Sequence, residues 1–318
     1  MIILDEPQTT EALPFGPLIE TLRRMFRAGC HVPRRHVHPV VTPDGNGTVL
    51  IMPAWNGKYL GIKTVNIYPG NSTKGMPGLF SVFTLFDATT GKPLAQLDGN
   101  VITSRRTAAA SALAATFLAR RDSKRLLVIG AGRVGRLLPE AYRAVFQLDA
   151  IDVWTRKSSA AEALSRSIRQ SGTSSNVVGP DLASAVARAD IVSMATLSTE
   201  PIVQGIWLSN GSHLDLIGSF TPQMRETDDS AFNQARIFID TEEALEKSGE
   251  LLEPMSRGVF THSEVVATLE GLCAKSNAGR SSQTERTVFK SVGTALEDLA
   301  AAIQAYEHWS VPEKSSTN

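Results

Sequence analysis

The pattern of apolar and polar positions divides the chain into three parts. The first part contains three runs rich in β-branched and aromatic residues, which favour strands: residues 48–53, 59–67 and 79–86. Segments rich in glycine, proline, asparagine and threonine separate them, at residues 43–47, 56–57, 69–71 and 89–91. This alternation of short strands and tight turns predicts an antiparallel meander.

A helix and then an alternating pattern follow. Residues 103–118 are rich in alanine, and the spacing of Leu113, Phe117 and Leu118 predicts a helix. Further strands are predicted at residues 125–129, 150–154, 190–195, 213–217 and 236–240. Helices are predicted after the first of these strands, through residue 142, and around residues 160–167. Continuous apolar strands between helices are typical of a parallel sheet that is covered on both faces.

The last part, residues 285–306, is again predicted to be helical. Because it comes after the alternating region, the simplest organisation is one domain built from both chain ends. We therefore expect an α/β protein with a doubly wound parallel sheet in residues 121–289. A discontinuous α+β domain would comprise residues 1–120 and 290–318. The length of 318 residues fits two domains.

Composition narrows the functional classes. The 32 Lys and Arg residues balance 32 Asp and Glu residues, so neither a nucleic acid nor an anionic membrane is expected as a partner. Cys30 and Cys273 are far apart and outside any His/Cys cluster, which argues against a metal site and fits a reduced, cytoplasmic setting. A membrane span is not expected, because no apolar run approaches roughly 20 residues, and a targeting signal is not expected, because the first residues have no basic region followed by a long apolar region.

A glycine-rich segment directly follows the strand predicted at residues 125–129. It matches the pattern G-x-G-x-x-G and consists of Gly130, Ala131, Gly132, Arg133, Val134 and Gly135. The first glycine would make the tight turn, the second would let a pyrophosphate approach, and the third would let helix and strand pack closely. Strand, loop and helix in this order predict a Rossmann-type dinucleotide site. A glycine-rich turn without a ligand is the alternative.

The end of the second strand of this region indicates which dinucleotide is bound. NAD-binding proteins place an acidic residue there for the ribose 2′-hydroxyl. Here no acid follows Trp154, and Asp152 lies before the tip of the strand. Thr155, Arg156 and Lys157 could instead hold a 2′-phosphate, because the arginine fork matches phosphate geometry. NADPH is therefore the expected cofactor and NADH is less favoured, with a solvated basic turn as the alternative.

Five segments resemble the signature of the ornithine cyclodeaminase/mu-crystallin family: residues 97–112, 130–132, 196–201, 218–226 and 287–293. They occur in the family's order, and the resemblance extends from Val32 to Tyr306. It implies a substrate-binding and dimerisation domain from both chain ends, a Rossmann domain, and a homodimer in which the antiparallel strands of two subunits pack together. The family includes ornithine cyclodeaminases, cyclic ketimine reductases, alanine dehydrogenases and mu-crystallin.

The resemblance also implies site residues. Arg106 falls on the family's carboxylate-binding arginine, Lys63 on its active-site lysine, and Arg35 on a further basic contact. Together they would fix a substrate carboxylate beside the nicotinamide. Thr196 and Leu197 fall among the cofactor contacts. For each basic residue the alternative is a structural salt bridge.

One segment departs from the cyclodeaminases. Phe220 replaces the aspartate proposed for their acid–base chemistry, and Leu50 stands where they carry a glutamate. Loss of ammonia requires protons to be moved on and off amines. The sequence therefore favours a reductase of a small cyclic imino acid, such as Δ1-pyrroline-2-carboxylate or Δ1-piperideine-2-carboxylate.

Several points of this hypothesis stay open. Either Lys63 or a bound water would donate the proton to the imine. Phe220 and Phe80 would either form an apolar wall for the substrate ring or belong to the core. The alternative functions are ornithine cyclodeaminase, a non-catalytic NADPH-dependent binding protein, and open-chain amino-acid dehydrogenation.

Overall fold

A computed structural model describes residues 1–43 and 45–310 of the chain. Within it the chain forms two compact units: Met1–Arg106 with the chain from Thr294 onward, and Thr107–Gly293. The functional domains expected at residues 1–120 with 290–318 and at residues 121–289 stay a prediction.

The described residues contain thirteen strands and ten α-helices. The strands are β1 (Ile2–Leu4), β2 (His36–Thr42), β3 (Gly45–Trp55), β4 (Tyr59–Ile67), β5 (Leu79–Asp87), β6 (Pro93–Asp98), β7 (Arg125–Ile129), β8 (Ala150–Trp154), β9 (Ile191–Met194), β10 (His213–Leu216), β11 (Ala235–Ile239), β12 (Val265–Thr268) and β13 (Arg286–Lys290). The helices are α1 (Glu6–Glu11), α2 (Phe15–Ala28), α3 (Gly99–Leu118), α4 (Leu138–Arg143), α5 (Ser158–Gln170), α6 (Leu182–Arg188), α7 (Ala244–Lys247), α8 (Gly249–Ser256), α9 (Leu269–Cys273) and α10 (Ala295–Ser310).

The first unit is built on a six-stranded sheet in the order β1-β6-β5-β4-β3-β2. Strand β1 is parallel to β6, and the other neighbours are antiparallel, so the predicted meander is confirmed. The turn predicted at residues 43–47 includes Asp44, which lies outside the described residues. Helix α10 packs against α2 and against β3, β4, β5 and β6. It covers the face of the sheet on which alternate β4 residues, Tyr59, Gly61, Lys63 and Val65, are buried.

The second unit is built on a seven-stranded sheet in the order β12-β11-β13-β10-β9-β7-β8. Every neighbouring pair is parallel, as the alternating pattern predicts. The chain leaves β7 to form β8 on one side and then β9 on the other. This change of direction is a topological switch point, the place where ligands of open α/β sheets bind.

One prediction about secondary structure is wrong. Residues 285–306 were expected to form a helix, but β13 occupies the centre of the parallel sheet, between β10 and β11. Thr287, Val288 and Phe289 favour a strand and are completely or almost completely buried. The helix begins only at Ala295, after Gly293 takes a φ of 78°. A buried strand of five residues was therefore mistaken for the first turns of the helix that follows it.

Within the part of the chain that the structure describes, no helix combines the length and the hydropathy needed to cross a membrane.

Candidate functional site

Lys63 and Arg106 lie together in the first unit, around two acidic side chains of α10. Lys63 Nζ is 2.5 Å from Asp298 Oδ2 and donates a hydrogen bond to Thr103 Oγ1 at 3.2 Å. Arg106 donates from Nε to Asp298 Oδ1 at 2.9 Å and from Nη1 to Glu297 Oε2 at 2.6 Å. The four charged residues are 5% exposed or less. The structure therefore brings together two of the three basic residues through a shared aspartate.

Three elements place these side chains. The alternation along β4 directs Lys63 to the buried face of the sheet, and Arg106 lies on α3. Glu297 and Asp298 occupy the first turn of α10, where the helix dipole favours negative charge. Buried charges are stable only when they are paired and hydrogen-bonded, so the two acids make it possible to bury the two cations.

The electrostatics of this cluster are dominated by burial. Burial lowers the pKa of Lys63 to about 8; the charges of Arg106 and Arg35 also lower it, and Asp298 opposes them. Burial would raise the pKa of Asp298, but Lys63 and Arg106 outweigh it and hold that pKa below its usual value. Burial would lower the pKa of Arg106, but Asp298 and Glu297 raise it further. At neutral pH the cluster therefore has a charged arginine, a charged aspartate and a lysine able to release its proton.

Arg35 belongs to the surroundings of this cluster. It precedes β2 directly and is half-buried, whereas the neighbouring Arg34 is exposed. Its charge contributes to the lowered pKa of Lys63. This distinguishes Arg35 from Arg34, which the sequence alone could not do.

Glu297 and Asp298 were not among the residues expected in the site. They are acidic residues inside an otherwise apolar, alanine-rich stretch of a helix. Acidic residues are almost never fully buried unless they are paired. Two adjacent acids within an apolar helix were therefore the signal that could have indicated partners for Lys63 and Arg106.

The glycine-rich loop of the second unit has the local geometry that its sequence predicts. Gly130 has a φ of 106°, and a Cβ there would lie 2.4 Å from the carbonyl oxygen of Ala195. A Cβ on Gly135 would lie 2.1 Å from the carbonyl oxygen of Gly130, so only glycine permits this packing. A Cβ on Gly132 would meet no atom within 4 Å, which leaves space for a ligand to approach the backbone.

The helix after this loop begins differently from the expectation. A 3-10 turn spans Gly135–Leu137, and the α-helix starts only at Leu138, with Pro139 in its first turn. Of the other loop residues, Arg133 is exposed, and Ala131 and Val134 are half-buried.

Thr196 and Leu197 follow β9, which neighbours β7 in the sheet. A Cβ on Gly130 would lie 3.3 Å from Thr196 Cγ2, so this segment adjoins the glycine-rich loop at the switch point. The side chain of Leu197 is 69% exposed. The structure thus brings Thr196 next to the candidate phosphate loop, and Leu197 follows it in the chain.

The tip of β8 carries exposed basic residues and no available acid. Arg156 and Lys157 are exposed, and Thr155 Oγ1 donates to the Lys157 carbonyl oxygen at 2.5 Å. Asp152 accepts hydrogen bonds from the backbone N and from Nδ2 of Asn176, each at 3.1 Å. Asp152 of β8 is therefore hydrogen-bonded to Asn176 and lies before the strand tip.

The two phenylalanines considered for a substrate wall are both exposed. Phe220 is 47% exposed and Phe80 is 45% exposed, so neither is a core residue. Phe80 pairs with Asn66 in the register of β4 and β5 and thus lies on the sheet face opposite to Lys63. The suggestion that Phe80 lines a site formed by Lys63 is therefore wrong, whereas the role of Phe220 stays a prediction.

Residues 1–43 and 45–310 contain no group of three or more His, Cys, Asp or Glu side chains that could hold a metal ion.

Comparisons with known proteins place these features in one family. The model of the ornithine cyclodeaminase/mu-crystallin family matches residues 9–313. The Δ1-pyrroline-2-carboxylate reductase of Colwellia psychrerythraea is 34% identical, over 96% of this chain and 99% of that protein. Among solved structures, Thermococcus litoralis Δ1-pyrroline-2-carboxylate reductase in complex with NADH and L-proline is 32% identical, with a TM-score of 0.89 over 96% of this chain and 97% of that one. A dimeric archaeal alanine dehydrogenase with bound NAD is 30% identical, with a TM-score of 0.89 over 96% and 95%. The chain belongs to the ornithine cyclodeaminase/mu-crystallin family.

Proposed function

We propose that this protein is an NADPH-dependent reductase of cyclic α-imino acids, with Δ1-pyrroline-2-carboxylate or Δ1-piperideine-2-carboxylate as substrate. The observation that carries the proposal is the buried charge cluster. Lys63 and Arg106 lie together around Asp298, Arg106 also pairs with Glu297, and the charge of Arg35 acts on Lys63. Arginine and lysine side chains grouped in this way suit a ligand that carries a carboxylate. The names of the Colwellia and Thermococcus reductases support the same class of substrate.

Lys63 is the proposed proton donor. Reduction of a cyclic imine needs one hydride and one proton, and the bound dinucleotide supplies the hydride. A general acid is most effective when its pKa is close to the working pH, and burial lowers the pKa of Lys63 to about 8. Asp298 Oδ2 and Thr103 Oγ1 hold the ammonium in place, so Lys63 Nζ would be the atom that gives up the proton.

Cyclodeamination of ornithine is the less favoured activity. It requires a group that moves protons on and off substrate amines. Residues 218–222 contain no carboxylate, and Phe220 stands at the position of the cyclodeaminase aspartate. A preformed cyclic imine does not need that step.

The preference for NADPH rests on residues of this chain. The exposed Arg156 and Lys157 at the tip of β8 suit a 2′-phosphate, and Asp152 is bound to Asn176. The Thermococcus reductase contains NADH, and the archaeal alanine dehydrogenase contains NAD. Both neighbours support a nicotinamide dinucleotide as cofactor, and the choice of NADPH rests on Arg156 and Lys157 of this chain.

We also propose a homodimer that works in the cytoplasm. The outer face of the first sheet, opposite to α10, is largely apolar and includes Ile51, Leu60, Ile62, Phe80, Val82 and Phe86, with Thr64, Asn66 and Thr84 among them. Phe80 and Val82 are 45% and 42% exposed in the single chain. An apolar face of this kind favours a protein partner, and the archaeal alanine dehydrogenase is a dimer. Neither cysteine forms a disulfide, which suits a reducing compartment.

A substrate panel tests the proposed activity. The purified protein should oxidise NADPH with the five-membered or the six-membered imino acid, and it should release no ammonia from ornithine. Arg106→Ala should lower kcat/KM by roughly a hundredfold or more, because it removes the orientation of the carboxylate as well as affinity.

Three results bear on the alternatives. Arg166→Ala, an exposed arginine on α5, is the matched control and should retain most of the imine reduction. Ammonia release from ornithine at a rate equal to or above imine reduction would overturn the proposal. NADPH binding without turnover of either imino acid would favour the binding-protein function.

A further inference from the structure

One buried carboxylate joins two loops at the carboxyl edge of the parallel sheet. Glu226 is completely buried, and its Oε1 accepts hydrogen bonds from the backbone N and from Oγ1 of Thr196, each at 2.8 Å. Its Oε2 accepts a hydrogen bond from the backbone N of Gly218 at 2.7 Å. Thr196 comes two residues after β9, and Gly218 comes two residues after β10. A single side chain therefore ties the loops of two neighbouring strands together.

The two loops also touch directly. A Cβ on Gly218 would lie 2.3 Å from the carbonyl oxygen of Thr196 and 2.4 Å from Glu226 Oε1. Only glycine permits this approach of backbone to backbone. The positions of Thr196, Gly218 and Glu226 are thus mutually determined.

The backbone around Glu226 is fixed by a second buried carboxylate, Glu250. The backbone N of Glu226 donates to Glu250 Oε2 at 2.6 Å, and Glu250 Oε1 accepts from the backbone N and from Oγ1 of Thr227 at 2.9 and 2.6 Å. Burial raises the pKa of Glu226 to about 7, while the charge of the buried Lys290 opposes the rise and that of Glu250 adds to it. A buried carboxylate costs more stability than an apolar side chain of similar size. Its three accepted hydrogen bonds are consistent with a role in placing the loops.

The order of the strands indicates which part of a dinucleotide would lie over the loops of Thr196 and Gly218. The strands lie side by side in the order β8-β7-β9-β10. Arg156 lies at the tip of β8, and the glycine-rich loop follows β7. Strands lie roughly 4.8 Å apart, so β8 and β10 are separated by about 14 Å. A dinucleotide with its 2′-phosphate at β8 and its pyrophosphate at β7 would extend its other half over β9 and β10.

We propose that Glu226 is a positioning residue, which holds the loops of Thr196 and Gly218 in the arrangement that receives the nicotinamide half of the cofactor. The proposal rests on the proposed function only for the identity of the cofactor. Glu226 acts through the two loops and does not itself exchange protons or electrons with the substrate.

Glu226→Gln tests this role. The amide oxygen can accept from one loop, but the amide NH2 cannot accept from the other, so one side of the connection is lost. We expect kcat to fall by about tenfold or more and NADPH to bind several-fold more weakly, because one of the hydrogen bonds that hold the two loops is lost. Binding of 2′,5′-ADP, which carries only the adenosine half and the 2′-phosphate, should change by less than about twofold. Calorimetry measures both affinities without any imino acid.

Two further variants complete the experiment. Glu162→Gln, on the exposed side of α5, is the matched control and should leave both affinities unchanged. Thr196→Val removes one of the three hydrogen-bond donors to Glu226 and should weaken NADPH binding as Glu226→Gln does. This second variant provides the measurement if Glu226→Gln does not fold.

The outcomes are separable. If NADPH affinity and kcat stay within about twofold of the unmodified protein in both variants, the proposal is overturned. Equal weakening of NADPH and 2′,5′-ADP would show a general loss of structure and would also overturn it. A failure of the proposed function would instead appear as absent imine turnover in the unmodified protein, which does not affect the binding measurements. If the unmodified protein prefers NADH, then NADH and ADP take the places of NADPH and 2′,5′-ADP.

Discussion

Lys63 is a lysine whose surroundings oppose its charge. It is 2% exposed, and the desolvation of a buried ammonium is only partly offset by Asp298. Between about pH 8 and pH 10.5 the unfolded chain binds a proton at this lysine that the folded chain does not. The free energy of unfolding therefore increases as the pH rises through this window. At pH values below the window, the buried and protonated Lys63 makes the folded chain less stable. Such a residue is better explained by chemistry than by stability.

The pH dependence of the reaction should follow this group. Lys63 is protonated below a pKa of about 8, so kcat/KM for the imino acid should fall above that pH, tenfold for each pH unit. Lys63→Arg keeps its proton across the range, so its profile should lose this limb even if its rate is lower. Initial rates of NADPH oxidation from pH 6 to pH 10 measure both profiles. A limb that persists in Lys63→Arg would belong to the substrate imine instead.

Arg156 should determine which dinucleotide is preferred. Arg156→Ala removes the proposed partner of the 2′-phosphate and should weaken NADPH by about 1.5–3 kcal/mol, while NADH changes little. Arg166→Ala, an exposed arginine on α5, serves as the control. Calorimetric titration of both cofactors provides the measurement. Equal affinities of the unmodified protein for NADPH and NADH would contradict the assignment.

Predictability from sequence differs among the residues of the site. Lys63 and Arg106 could be named because they fall on motifs of a recognisable family, and the structure brings them together. Asp298 could not be paired with them, because it lies 192 residues beyond Arg106 in the chain. An ion pair over such a distance depends on the packing of α10 on the sheet. Glu226 lies within a segment that resembles the family signature, but its contacts with Thr196 and Gly218 likewise depend on the folded loops.

Among the elements, the strands with strong local signals were predictable. Strands β4, β7 and β8 have the predicted limits, because β-branched and apolar runs end there at turn residues. Strand β13 was not predictable in the same way. Its five residues adjoin a long helix, and a short apolar run is compatible with a buried strand or a helix. Only its burial between β10 and β11 decides between the two.

The short strands β1 and β12 illustrate a further limit. They have three and four residues, and each is stabilised by one neighbour at the edge of its sheet. Too few residues are involved for a period to be recognised. Their presence depends on the long-range pairing of β1 with β6 and of β12 with β11.

At the scale of the whole molecule, the outer face of the first sheet should hold two chains together. Val82→Asp introduces a charge into the centre of this face, next to Thr64 of β4, and should convert a dimer into a monomer at micromolar concentration. Ile206→Asp, at a residue of the second unit that is 76% exposed, should leave the dimer intact. Sedimentation velocity distinguishes the two states. A monomeric unmodified protein, or a Val82→Asp variant that stays dimeric, would contradict this interface.

The late position of β13 and α10 in the chain has a consequence for how the protein is made. During synthesis β10 and β11 emerge long before β13, so the centre of the parallel sheet stays incomplete until residues 286–290 have left the ribosome. Lys63 and Arg106 must likewise wait for the acids of α10, which follow even later. Until α10 has been made, Lys63 and Arg106 lack the counter-charges with which they are buried. Folding of both units therefore depends on residues 286–310, so the two units are completed together during synthesis and not one after the other.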